Sequence, residues 1–424
     1  MSENIQTTRF PNGLTVITDR MPDVRSATLG FFFDRGSRHE PAELNGISHF
    51  IEHTVFKGTT KRSALDIAVE QDRLGGNLDA FTTHEETGFA IKVIDDRLEE
   101  AFELIADMLL NPRFDEKELK SERRVIIEEI KMVEDSPEEY LGDIFTAAFF
   151  PDHPLGLSIS GTAKTVRKFT SGLAREYFGL AFQPSNLVIT AAGNLKHRQV
   201  VQLAERSFAG TVKKQKRNSK NQQPVFAAPI IVKKNRNLEQ AHMIVATPFV
   251  AAVNKQRYAA DLLANLIGGG MSSRLWQKVR EQRGLAYSVG ASAAMFRDCG
   301  FFSIFAATSP KQMDEVLDLA INEIRLIVKN GVSTQELELA KQQSIASILL
   351  GLEDSAARAA ILAQCEMLHG RYIPNAETLA AIRAVTVEEV NALARKFFRT
   401  EKIAFAALGD LNGLKVKRDR LAVA

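Results

Sequence analysis

The apolar positions of this chain change period repeatedly, and each change marks an element. Residues 14–18 and 26–33 alternate or run apolar around the turn residues Asn12-Gly13 and Pro22-Asp23, which predicts two strands. From residue 44 to about 58 the spacing becomes helical. Ser63 followed by Asp66 forms a capping box for a second helix, which stops at Gly75-Gly76. Residues 77–83 and 87–93 predict paired strands, and 96–110 an amphipathic helix closed by Asn111-Pro112. Asp115 with Glu118 caps a further helix that runs to about Glu134, ahead of Pro137. Residues 186–192 and 403–408 read as late strands of two separate halves. Hairpin-like strand pairs mixed with helices, without regular βαβ alternation, predict an α+β fold.

A faint repeat organises these elements. The run Phe114 to Leu119 (FDEKEL) opens a long helix after the helix at 96–110, and Val332 to Leu337 (VSTQEL) does the same after the amphipathic stretch 313–328. Both are preceded by a Gly-Phe strand start, at Gly88-Phe89 and at Gly300-Phe301. Between the copies lies the run TVKKQKRNSKNQQ, polar, basic and followed by Pro224, with the composition of a linker. The expected organisation is a first α+β domain over 1–210, a linker over 211–226 and a second α+β copy over 227–424, each a mixed sheet flanked by helices.

Bulk properties narrow the function classes. A chain of 424 residues exceeds what one core usually organises. With 54 Lys+Arg against 52 Asp+Glu, nothing in the charge balance calls for nucleic acid or an anionic membrane as partner. The two cysteines, Cys299 and Cys365, are too few for a disulfide framework and lack metal-ligand spacing. No apolar run approaches the roughly 20 residues of a membrane span, and the N-terminal stretch lacks the layout of a signal or transit peptide. A cytoplasmic location is the default expectation.

The chemistry is concentrated in His49-Phe50-Ile51-Glu52-His53. Histidines at i and i+4 fall about 40° apart around a helix, so both imidazoles can reach one metal ion. Glu52 lies on the same side, where it could take a proton from a metal-bound water. This H-x-x-E-H order inverts the commoner H-E-x-x-H and is the inverzincin signature. The pentapeptide alone does not establish a metal site. On the helix after residue 115, Leu119, Glu122, Ile126, Glu129 and Val133 recur at spacings of three and four, the pattern of an inward stripe. Glutamates in such a stripe are costly without a cation or hydrogen bonds to offset their desolvation. The same residues also fit a misphased stripe with both glutamates in water, and this helix alone does not decide. A catalytic zinc commonly takes three protein ligands, His₂Glu among the standard sets, and keeps a fourth position for water. Pairing Leu119 with Leu337 sets Glu122 and Glu129 against Ala340 and Ser347, so the second copy lacks both carboxylates as well as the H-x-x-E-H.

Taken together, GISHFIEHTVFKGT, LGGNLDAFTTHEETGF, SERRVIIEEIKMVEDSPEE, HPLGLSISGT and, in the second half, GGGMSSRLWQKVREQRGLAYSV resemble the pitrilysin/insulinase family of zinc metallopeptidases. The similarity is greatest to its short-chain branch, which includes mitochondrial processing peptidase, and covers nearly the whole chain. It implies one zinc ion per chain on His49, His53 and Glu129, a general base at Glu52, and Glu122 as the residue that orients a ligand from behind. It assigns substrate contacts to the strand Asp79-Ala80-Phe81 and to Arg280 and Tyr287, with Tyr287 also serving the developing oxyanion. Asp79 departs from the family's usual Asn and cannot donate the amide hydrogen bond.

The resemblance further implies half of a clam-shell chamber that admits short or unfolded peptides. A chain of two units is expected to pair as a homodimer or as a heterodimer with a related subunit. The expected activity is zinc-dependent peptide-bond hydrolysis. Two rival readings remain at this stage: a catalytically silent, structural or peptide-presenting subunit of the same fold, and a cysteine hydrolase built on Cys365 and His369.

Overall fold

A computed structural model of the chain describes residues 4–208, 210, 223–411 and 413–423. Its strands form two mixed sheets. The first contains β1 (Ile5–Arg9), β2 (Thr15–Arg20), β3 (Ser26–Phe33), β4 (Leu78–Thr82), β5 (Thr87–Ile94) and β6 (Leu187–Gly193), in the order β1-β2-β6-β3-β5-β4. The second contains β7 (Ile230–Lys234), β8 (Ala241–Phe249), β9 (Ala286–Met295), β10 (Gly300–Thr308) and β11 (Ala404–Gly409), in the order β7-β11-β8-β10-β9. Without β1, which the hydrophobic pattern did not predict, the two orders correspond strand for strand. Each contains one parallel pair, β2 with β6 and β7 with β11, and is otherwise antiparallel. The α+β repeat expected from FDEKEL and VSTQEL therefore extends to topology.

On one face of the first sheet lie α1 (Ile47–Thr54), α2 (Ala64–Leu74), α3 (Leu98–Leu110) and α4 (Glu116–Asp135). Phe31, Phe33, Phe50, Phe89 and Phe102 meet there, fully buried; each such side chain contributes about 1.5–3 kcal/mol by leaving water. The helix α2 keeps its expected ends, with Ser63 Oγ accepting from Asp66 N and Gly75 left-handed at φ 65°. The helix α1 is shorter than the expected 44–58. Gly46 enters it at φ 94°, where a Cβ would strike Ser160 O at 2.6 Å, and a 3₁₀ turn at Val55–Lys57 followed by Gly58 at φ 115° ends it.

The chain divides into two compact units, but not at a single midpoint. One comprises Met1–Met132, Leu157–Lys220 and Leu349–Pro374; the other comprises Val133–Gly156, Asn221–Ile348 and Asn375–Ala424. Against the contiguous domains 1–210 and 227–424, two segments change sides. The helix α5 (Pro137–Phe149) buries Leu141, Phe145 and Phe149 with Ala246, Ala404 and Leu408 of the second sheet. The helix Ser355–His369 buries Leu362, Ala363 and Met367 with Ile17, Phe32 and Val188 of the first. Arg358 pairs with Asp19 at 2.6 Å with both side chains buried, and Arg9 pairs with Glu366 at 2.7 Å. The physical reason is that a sheet has two apolar faces, and the helices nearest in sequence cover only one. Of the expected linker, residues 211–222 lie outside the described residues. No described helix is long and apolar enough to cross a membrane.

Candidate metal centre

The helix α1 packs against β4 and buries Ile47, Phe50 and Ile51 in the core. That fixes its rotation and turns His49, Glu52 and His53 toward α4. The imidazole rings of His49 and His53 lie 4.6 Å apart between centroids. In α4, Leu119, Glu122 and Ile126 are buried while Glu129 is half-buried, so the inward stripe is correctly phased and its second glutamate opens onto the site. His49 Nε2 stands 3.6 Å from Glu129 Oε1, and His53 Nε2 stands 3.6 Å from Glu129 Oε2. Among the described residues, His49, His53 and Glu129 are the one group of three potential ligands whose donor atoms all lie within 4.8 Å of one another. Tetrahedral zinc with bonds near 2.1 Å separates its ligand atoms by about 3.4 Å, close to the two 3.6 Å imidazole–carboxylate separations.

The protonation state of His49 also suits a cation. Burial, with His53 adding to it, pushes His49 down to about 4, so its imidazole is neutral near pH 7. Its Nδ1 is buried and has no hydrogen-bond partner among the described residues. A neutral imidazole offering a lone pair is the ligating form. His53 Nδ1 lies 3.4 Å from Glu122 Oε2. An ionised carboxylate only accepts, so Nδ1 carries a proton toward Glu122, and Nε2, which faces Glu129, can ligate a cation once its own proton has left. Burial opposes charge on His53, but the hydrogen bond to Glu122 and the nearby Glu52 and Glu129 outweigh it and raise its pKa. Glu122, 5% exposed, is pushed up by burial and then pulled below the usual range by His53 and by Lys57, whose Nζ donates to Oε1 at 2.8 Å. Glu52 is raised by burial, an effect only partly offset by a hydrogen bond from Thr82 and by His53. Thr82 Oγ1 donates to Glu52 Oε2 at 2.6 Å.

The structure gathers some of the expected residues and separates others. Alternation along β4 sends Leu78, Ala80 and Thr82 to the face that carries α1. Phe81 points the other way, its ring 6.1 Å from that of Phe32 and pressed over Gly88. Asp79 shares that face, exposed and hydrogen-bonded by the Asn77 amide. The side chains of Asp79 and Phe81 are thus not brought to His49, His53 and Glu129, and only their main chain runs along the open edge of the sheet. In the second unit, Arg280 and Tyr287 do meet. The guanidinium lies 4.6 Å from the Tyr287 ring and 4.1 Å from the Trp276 ring, and Nη1 donates to Tyr287 O at 3.0 Å. Tyr287 is 79% exposed. Sequence reasoning missed Thr82 and Lys57, although both lie inside the stretches that carried the resemblance. The parity of β4 was the available signal for Thr82.

Two repeated mixed-sheet units, one of them holding an inverted histidine motif opposite a distant glutamate, define the inverzincin class of metallopeptidase fold. The description "Insulinase (Peptidase family M16)" matches residues 15–163, and "Peptidase M16 inactive domain" matches 168–344. A protein of Streptomyces coelicolor described as an uncharacterized zinc protease is 37% identical over 426 residues, covering 99% of this chain and 93% of its own. A Bacillus subtilis protein of the same description is 36% identical over 397 residues, covering 94% and 96%. The chain belongs to the M16 (pitrilysin/insulinase) family of peptidases. Among solved structures, a protease from Helicobacter pylori has a TM-score of 0.87 at 20% identity, covering 96% of this chain and 100% of that one. A peptidase M16 inactive domain from Pseudomonas fluorescens has a TM-score of 0.88 at 21% identity, covering 96% and 98%. These two likenesses bear on the fold.

Proposed function

We propose that this protein is a zinc metalloendopeptidase acting on short or unfolded peptides. One observation carries the reading: two imidazole nitrogens and a carboxylate from a separate helix converge at ligand-shell spacing, with the half-buried Glu52 carboxylate near His53 and Glu129. Zinc, when bound, supplies a Lewis acid for the scissile carbonyl and lowers the pKa of a water to roughly 7. His49, His53 and Glu129 would hold it, and Glu122 keeps the His53 ring in the ligating tautomer. Glu52 takes a proton from the attacking water and returns it to the leaving amine. The outer edge of β4 is open, so an extended peptide can add there through main-chain hydrogen bonds, with weak dependence on its side chains.

The family resemblance adds substrate contacts by Arg280 and Tyr287. The arginine stacked on Tyr287 restricts an otherwise exposed ring. We also propose that the chain works as a homodimer, or as a heterodimer with a related subunit, in the cytoplasm. The test is cleavage of a mixed peptide library by purified protein of known mass and metal content, with and without chelator. Chelator-sensitive cleavage and one zinc per chain are expected, with zinc lost in Glu129→Ala. Zinc bound without any cleavage would replace this reading with that of a silent, peptide-presenting subunit.

A further inference from the structure

We propose that Thr82 is a positioning residue for Glu52, fixing the carboxylate relative to the strand edge on which a peptide would lie; the inference rests on the peptidase reading above. Thr82 is the last residue of β4, the outermost strand of its sheet. Its hydroxyl donates to Glu52 Oε2 at 2.6 Å, within the short range of hydroxyl bonds to ionised carboxylates. Among the described residues this is the one hydrogen bond the Glu52 side chain makes. Glu52 has three side-chain torsions to settle, whereas the β-branched donor is stiff at χ1. The bond therefore selects which oxygen is occupied and leaves Oε1 for proton transfer.

The donor is itself held from behind. Thr82 pairs with Thr87 across the β4–β5 hairpin, and the buried Thr87 donates its hydroxyl to Arg35 O at 2.9 Å. One residue further on, Thr83 N donates to Glu86 O at 2.8 Å and closes the hairpin end. Because Thr83 and Glu86 form a hydrogen-bonded pair, the adjacent Thr82–Thr87 pair is a non-hydrogen-bonded one, so Thr82 turns its main-chain N–H and C=O to the open outer side while its side chain is linked to the base. A single rigid residue joins the main chain that would set a peptide's register to the group that moves the proton. Removing the hydroxyl leaves the edge intact, so the loss belongs to turnover and not to peptide affinity.

Thr82→Val keeps the shape and branching without the donor, and Thr82→Ser keeps the donor. Both are compared with wild type, zinc-loaded, on a fluorogenic peptide and as crystals. Thr82→Val is expected to retain its zinc and a KM within about twofold while kcat falls about 10- to 100-fold. Thr82→Ser should recover most of kcat. In the crystals the Glu52 carboxylate should keep its place with Ser and leave it with Val. Unchanged kcat in Thr82→Val, or a Glu52 that does not move, would overturn the proposal. So would a loss shared equally by Ser and Val together with zinc, which would mark a purely structural role. A wild type that binds zinc but cleaves nothing counts against the peptidase reading, and the position of Glu52 in the two crystals then decides the role of Thr82 alone.

Discussion

Glu122 occupies a buried helix position flanked by Leu119 and Ile126, where a lone carboxylate would be strongly destabilising. Both of its oxygens are engaged, one by Lys57 and one by His53. In the proposed zinc site it would support a ligand as well as serve as a counter-ion. Glu122→Ala should weaken zinc binding about 10- to 100-fold, read by competition with a chelating dye. Unaltered affinity would reduce Glu122 to the Lys57 ion pair. Glu52→Gln should keep its metal and lose about 10²- to 10⁴-fold in kcat; cleavage at the wild-type rate by the pure variant would remove Glu52 as base. At this scale the sequence was informative wherever chemistry followed from spacing. The histidine motif is local, and Glu122 and Glu129 stand out as charges in an apolar stripe. Their partners were less visible. Period-two alternation puts Thr82 on one face and Phe81 on the other, but it does not reveal that Glu52 is what Thr82 meets.

At the scale of elements, the entry to α1 shows why its boundary escaped the pattern. The expected helix began at residue 44, but Gly46 turns left-handed against the chain at Ser160, a contact made far away in sequence. The free N–H groups at that entry are taken up by Glu40, which accepts from Gly46 N and Ser48 N, each at 2.7 Å. Burial nevertheless pushes Glu40 up to about 7, against those bonds. A carboxyl raised in the folded state binds protons more tightly there than in the unfolded chain. Its contribution is therefore fully present below its ordinary pKa and is lost as pH rises through about 7. Glu40→Gln cannot titrate, so the melting-temperature advantage of wild type over this variant should shrink between pH 5 and pH 8. An advantage that grows over that range would show that the hydrogen bonds, not burial, govern Glu40.

The helix Ser355–His369 makes a sharper demand. Arg358 and Asp19 are each about 5% exposed, so Arg358→Ala leaves a buried carboxylate without its counter-ion. It should cost about 3–5 kcal/mol in denaturant unfolding, with much of the loss regained on adding Asp19→Asn. A cost under about 1 kcal/mol would mean that water reaches Asp19.

For the whole molecule, the doubling of one α+β unit could be read from two short matching runs, and it holds down to strand order. The exchange of α5 and the helix Ser355–His369 could not. Their apolar stripes look like those of any helix, and nothing in a stripe names the sheet it will cover. A fragment of residues 1–210 therefore contains an α5 without its sheet and a first sheet without its outer helix. Such a fragment should bind a hydrophobic dye and lack a cooperative melt, and joining 349–374 to it should improve both. A fragment 1–210 that melts cooperatively without dye binding would show the outer helix to be dispensable.

The same exchange governs how the protein is made. Asp19 and Arg358 are separated by 339 positions. At common elongation rates, the ribosome takes on the order of tens of seconds to cross such an interval. For all that time the outer face around Ile17, Phe32 and Val188 has no cover of its own. The unit that carries the histidine motif is begun first, yet its last segment, Leu349–Pro374, follows most of the other unit. A nascent chain of this kind needs shelter from its neighbours until nearly the whole message has been read.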